Sequence, residues 1–124
     1  MNKMIYTLDY LKQRNGQPLN FKLNFKKEIE DMIMVEDIGQ CFVSGSYSFL
    51  YSTHIRFELD IKVDLTLIAA DTLNPINFPL EFKLIDEVSY SSETEYKIKD
   101  DKVDLYEMVW GWLAAEMPYG IFEK

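Results

Sequence analysis

The chain has 124 residues with 48% hydrophobic and 15% aromatic content, which fits a single packed domain over 1–124 and excludes a disordered chain. Its net charge of −8 excludes a uniformly basic surface for nucleic acid, and no window approaches the roughly 18 apolar residues of a membrane-spanning helix. One cysteine, Cys41, excludes an internal disulfide or a cysteine zinc cluster.

In chain order, "MIYTL" (4–8) reads as a short first strand. "LDYLKQRNG" follows as a short helix, with Thr7 placed to cap it and Asn15-Gly16 to stop it. "PLNFKLNF" alternates, so Leu19, Phe21, Leu23 and Phe25 share a core side while Asn20, Lys22 and Asn24 face out. "KKEIEDMIMVEDIG" reads ambiguously, with one helical turn expected before Gly39. "QCFVSGSYSFLYS" (40–52) puts Cys41, Val43, Gly45, Tyr47, Phe49 and Tyr51 on one side and Ser44, Ser46 and Ser48 on the other, with Gly45 marking a bulge or sharp bend.

After a turn at 52–54 comes the strongest pattern. From Ile55 to Leu67 every odd position is apolar, and the even positions carry Arg56, Glu58, Asp60, Lys62, Asp64 and Thr66. "IAADTLNP" breaks the run. "INFPLEFKLI" (76–85) resumes it with Phe78, Leu80, Phe82 and Leu84 on one face, and Pro79 on the other points to an edge strand or a bulge. "SYSSETEYKIKDD" (89–101) is polar and is expected to be a mobile loop. "DLYEMVWGWLAAEMP" closes the chain as an amphipathic helix capped by Asp104 with Glu107 three residues on, its stripe running Leu105, Met108, Val109, Trp112 and Leu113, its end set by Pro118. The fold expected is α+β: an antiparallel β-meander curling toward a partial barrel, packed by this C-terminal helix and the short N-terminal one.

Little of this sequence reads as catalytic. The single histidine, His54, has no partner His or Cys, and Cys41 on an apolar strand face reads as a buried, inert thiol. Side chains two apart on a strand face stand about 6.6 Å from one another, and Lys62 interrupts the row, so the acids Glu58, Asp60 and Asp64 are too far apart to share a cation and read as a solvated face with cross-strand ion pairs. "VSGSYS" has neither phosphate-loop nor nucleophile-elbow spacing. The expectation is a non-enzymatic domain without a metal or cofactor. The N-terminus lacks an apolar secretory segment, so the expected compartment is the cytoplasm.

Charge is spread unevenly. Residues 1–27 carry Lys3, Lys12, Arg14, Lys22, Lys26 and Lys27 against Asp9 alone, a net +5. The other 97 residues carry seven basic and 20 acidic side chains, a net −13. Such a basic segment either meets a polyanion or pairs with the acidic body of its own domain.

The alternating strand, the turn ending in Thr-Leu, "PINFPLEF", the closing "VDLYEMVWGWLAAEMP", and the "GQPLNFKLNF" and "VSGSYSF" strands together resemble, in order, the bacterial YceD/YlbN-like family of large-ribosomal-RNA accumulation proteins. That family carries Cys-x-Arg-Cys-Leu or Cys-x-Arg-Thr-Leu at the turn, matched here by Ala69, Ala70, Asp71, Thr72 and Leu73. Its cysteine is thus Ala69 and its arginine Asp71, and the cysteines many members carry after the closing proline are absent from "YGIFEK". The resemblance implies a non-enzymatic factor in accumulation or assembly of the large ribosomal subunit, binding ribosomal RNA or a basic ribosomal protein, with no membrane role. Of the two candidate contact sites, the basic segment (Lys12, Arg14, Lys22, Lys26, Lys27) is preferred over a corner that has lost its arginine. A reading from another class is a small-molecule carrier with a pocket between the sheet and the Trp110/Trp112 helix; a void of roughly 300 Å³ or more there distinguishes it.

Overall fold

The computed structural model describes residues 4–91, 93–118 and 120–123. In chain order its elements are β1 (Ile5–Thr7), α1 (Leu8–Gln13), β2 (Leu19–Leu23), β3 (Val35–Ile38), β4 (Cys41–Tyr51), β5 (His54–Ile68), β6 (Pro75–Ser89), β7 (Tyr96–Lys97), β8 (Lys102–Asp104) and α2 (Leu105–Glu116).

Alternation dictates the sheet. Successive strand residues point to opposite faces, and in β5 every odd residue from Ile55 to Leu67 is buried while no even one is. β5 is the hub. β6 pairs with it antiparallel along its whole length, from His54 opposite Ser89 to Ile68 opposite Pro75. On its other side β4 runs antiparallel as far as Lys62, and β3 continues in line beside Leu65–Leu67. The joint between β3 and β4 is held by Gly39 N donating to Asp64 O at 2.8 Å. β2 extends the sheet beyond β4, and β7 adds a two-residue parallel rung to the end of β6. The six-stranded sheet is therefore mixed, and it stays open: β2 and β7 lie at opposite ends of the strand order, so the expected curl does not close into a barrel. β1 and β8 form a separate two-stranded ribbon.

Both helices start where their caps dictate. Thr7 Oγ1 accepts from Tyr10 N at 3.1 Å, and Asp104 Oδ1 accepts from Glu107 N at 3.1 Å. α2 buries Leu105, Met108, Val109 and Leu113. Its other anchors span the apolar face of the sheet. Phe25, just past β2, packs at 4.8 Å from Tyr106 and 5.2 Å from Trp110 (ring centroids), and Trp112 Nε1 donates to Asp86 Oδ2 of β6 at 2.8 Å. Gly111 sits mid-helix, where glycine costs about 1 kcal/mol against alanine, because a Cβ there would lie 1.9 Å from Tyr96 Oη.

Several expectations need correction. The ambiguous 26–39 segment contains β3, placed by its pairing with β5 and not by helical turns alone. Gly45 is not a bulge: it pairs in register with Leu19 and with Leu59, and the register shift falls between Phe49 and Tyr51. That shift turns Tyr51 out of the core to 74% exposure. The polar 89–101 segment includes Ser92, which lies outside the described residues, but much of the rest is built structure: β7, a buried Ser89 Oγ–Thr94 Oγ1 contact at 3.0 Å, and Thr94 Oγ1 donating to Tyr96 O at 3.0 Å.

Candidate functional site

The five cations singled out from the sequence do not form one cluster. Lys12 lies in the last turn of α1 with its Nζ 6.0 Å from the Phe49 ring. Arg14 is spent locally: its guanidinium stacks 5.5 Å from the Tyr10 ring and donates to Tyr10 Oη at 3.1 Å and Pro18 O at 2.8 Å. Lys26 pairs with Asp37 at 3.0 Å, and this hydrogen bond holds the Asp37 carboxyl below its ordinary value. Here the basic segment does meet the acidic body of its own domain. Lys27 is exposed in the turn after β2. Lys3 lies outside the described residues.

Lys22 is placed differently. The alternation of β2 turns it to the outer, polar face of the sheet, with its Nζ 5.8 Å over the ring of Phe42. Phe42 is opposite Lys22 on β2 and opposite Lys62 on β5. It is 50% exposed, an aromatic ring held between two lysines on a face otherwise rich in serine and charge. Parity along β4 already puts position 42 with the serines, and that is the signal that finds it. The ring borders an open groove of about 520 Å³ lined also by Gln40, Lys62, Asp64, Pro79 and Glu81. The rest of this face is knitted by ion pairs: Asp60–Lys83 at 3.2 Å, Lys62–Glu81 at 3.3 Å and Arg56–Glu58 at 3.7 Å.

The corner between β5 and β6 has a different occupant. Ala69 is fully buried, and the turn closes by Ala69 N donating to Asn74 O and Leu73 N to Ala69 O, both at 2.9 Å, with Leu73 at φ +61° and exposed. The C-terminal tail docks on it. Ala70 N donates to Ile121 O at 2.8 Å, Glu123 N donates to Asp71 Oδ1 at 3.0 Å, and the Glu123 carboxylate accepts from Thr72 Oγ1 and, at 3.1 Å, from Asn74 Nδ2. Asp71, standing where the family pattern has arginine, thus receives a backbone N–H of the chain's own tail. The corner and the segment after the closing proline, two places where that pattern carries cysteines, meet here through hydrogen bonds.

Cys41 is buried, and desolvation pushes its thiol up to about 12. His54 Nε2 contacts Glu87 Oε1 at 2.5 Å. Among the described residues no three His, Cys, Asp or Glu side chains stand close enough to hold a metal ion, and no helix is long and apolar enough to cross a membrane. The grooves described are open ones on the polar sheet face and around α1 and the 93–95 loop, and α2 lines none of them. Compared with known proteins, the chain matches no family model, no curated protein and no solved structure. The likeness to the rRNA accumulation family therefore rests on the motifs and their order along the chain.

Proposed function

We propose that the protein is a non-enzymatic factor for accumulation or assembly of the large ribosomal subunit, contacting ribosomal RNA through two lysines of its basic segment, Lys22 beside the exposed ring of Phe42 and Lys27. One observation carries the choice of surface: Lys22 and Lys62 flank the exposed ring of Phe42 on the outer sheet face, with Lys27 exposed in the turn beyond β2. Lysines neutralise phosphates, and an open aromatic ring gives an unpaired base a surface to stack on. The corner offers neither, since its polar groups already hold the C-terminal tail.

A second reading has its own observation. The 97 residues after Lys27 carry a net −13, a field suited to holding a basic ribosomal protein before it meets RNA. Affinity purification, with sequencing of bound RNA and identification of bound protein, separates the two. Large-subunit RNA that survives removal of ribosomal proteins supports the proposal. Capture of one basic protein with no RNA supports the second reading, and neither being enriched refutes both.

A further inference from the structure

The outer edge of β6 is unpaired among the described residues from Pro75 until β7 takes up Val88 and Ser89. The direction of its backbone groups follows from the sequence. Proline has no N–H, so in a strand paired along its length Pro79 belongs where the amide would point away from the neighbour. Its partner Asp64 agrees, since Asp64 O accepts from Gly39 N on the opposite side of β5. Backbone groups alternate along a strand with period two. Asn77, Glu81, Lys83, Ile85 and Glu87 therefore also present N–H and C=O outward. Ser89, in the same phase, does so visibly: its carbonyl accepts from Ile98 N at 2.9 Å on that side.

We infer that this edge pairs antiparallel with the same edge of a second copy, in the register centred on Phe82. A two-fold axis normal to the sheet keeps both apolar faces on one side and places residues whose numbers sum to 164 opposite each other. Glu81 then faces Lys83 of the second copy, and Lys83 faces its Glu81. Each pair exchanges two backbone hydrogen bonds in the sheet plane while its side chains meet on the polar face, and opposite charges directly across an antiparallel pair are favourable. Ile85 N donates to Pro79 O in both directions. On the apolar face Phe82 meets Phe82, which covers a ring only half-buried in one chain, while Leu80 lies opposite Leu84, already buried in its own chain.

The neighbouring registers fail on charge. Centring on Glu81 sets Glu81 against itself, centring on Lys83 sets Lys83 against itself, and centring on Leu80 leaves Glu81 facing Pro79. Proline and lysine are residues that protect edge strands from indiscriminate pairing. Here Pro79 forfeits one bond per side, and only this register adds Glu81 of the second copy to the Asp60 that Lys83 already faces in its own chain, so pairing is confined to one register and stops at two copies. The 93–95 loop, which borders a groove with Ile85 and Glu87, limits the paired stretch at its far end. A contact of this size gives a dimer that forms with rising concentration and not an obligate one.

Sedimentation velocity on the full chain from low micromolar to high micromolar concentration tests this. A shift from the 14.6 kDa monomer to twice that mass is expected. Lys83→Glu places two carboxylates opposite each other, and Glu81→Lys places two ammonium groups opposite each other, so each variant alone should stay monomeric. Mixed in equal amounts, they should form a heterodimer, because every position then faces its opposite charge. In the wild type, the amides of Glu81, Lys83 and Ile85 should exchange more slowly at high than at low concentration. A wild-type monomer throughout, single variants that dimerise as well as the wild type, or no dimer on mixing would each overturn the inference.

Discussion

Gly45 lies where three strands meet: it pairs with Leu19 of β2 on one side and with Leu59 of β5 on the other. Its φ is +155°, and a Cβ built on it would stand 2.1 Å from Glu58 O and 2.9 Å from Leu59 Cα, both backbone atoms. Neither neighbour has a flexible end to move aside. Gly45→Ala must therefore pry β4 from β5 near the middle of the sheet. Were the glycine merely tolerated, alanine would stabilise by about 0.4–1 kcal/mol through a less flexible unfolded chain. Against that stand about 1–3 kcal/mol for a side chain in a glycine-only conformation and about 1–3 kcal/mol for intrusion into a packed region. The expected net is a loss of about 1–5 kcal/mol, large beside the roughly 5–15 kcal/mol of a typical domain. Urea unfolding followed by tryptophan fluorescence measures it, with Ser46→Ala on the exposed face as a control expected within about 0.5 kcal/mol of wild type. An alanine variant as stable as wild type would refute the close approach of β4 to β5.

Three further outcomes are expected. Phe57, fully buried on β5 at 5.8 Å from the Tyr47 ring, should cost about 3–5 kcal/mol on truncation to alanine, and a loss under about 1 kcal/mol in denaturant titration contradicts its burial. Burial raises the Cys41 thiol from 9.0 to about 12, and burial together with nearby carboxylates raises the Tyr96 phenol from 10.0 to about 12, so the unfolded chain releases these protons first; stability should fall as pH rises from about 9 towards 12, by up to about 1.4 kcal/mol per pH unit for Cys41 and by less for the partly exposed Tyr96, which solvent screens, and Cys41→Ala should move the onset of that fall towards 10 in pH-dependent unfolding. Asp71→Lys should release the tail, seen as faster hydrogen exchange at Ala70 N–H, without weakening RNA binding.

How far the sequence spoke for itself varies by element, and the reasons are physical. β5 was legible because its odd residues meet one core and its even residues meet water, a contrast renewed at every step. α2 was legible because Asp104 caps it and Pro118 follows its end. β3 was not: Glu36 and Asp37 are both exposed and Val35 is half-buried, so little alternation survives, and the strand exists because β5 outruns β4 and offers unpaired backbone. The docking of the tail on the corner joins residues about 50 apart through hydrogen bonds that leave no periodic trace. The basic segment was legible as composition but not as a surface. Sequence counts charges, whereas the fold assigns Lys26 to Asp37 and Arg14 to Tyr10 and Pro18, and leaves Lys22 beside Phe42.

The salt dependence of binding to large-subunit ribosomal RNA is the sharpest test of contact through Lys22 and Lys27. Each phosphate neutralised on single-stranded RNA contributes a slope of about −0.7 in log affinity against log salt. Contact through Lys22 and Lys27, with Lys62 beside Phe42, therefore sets a wild-type slope of roughly −2. Reversing Lys22, Lys26 and Lys27 to glutamate should abolish binding or flatten that slope, with Lys22 and Lys27 carrying most of the loss and Lys26, already paired with Asp37, the least. A triple variant that binds this RNA with unchanged affinity and an unchanged slope would contradict the account.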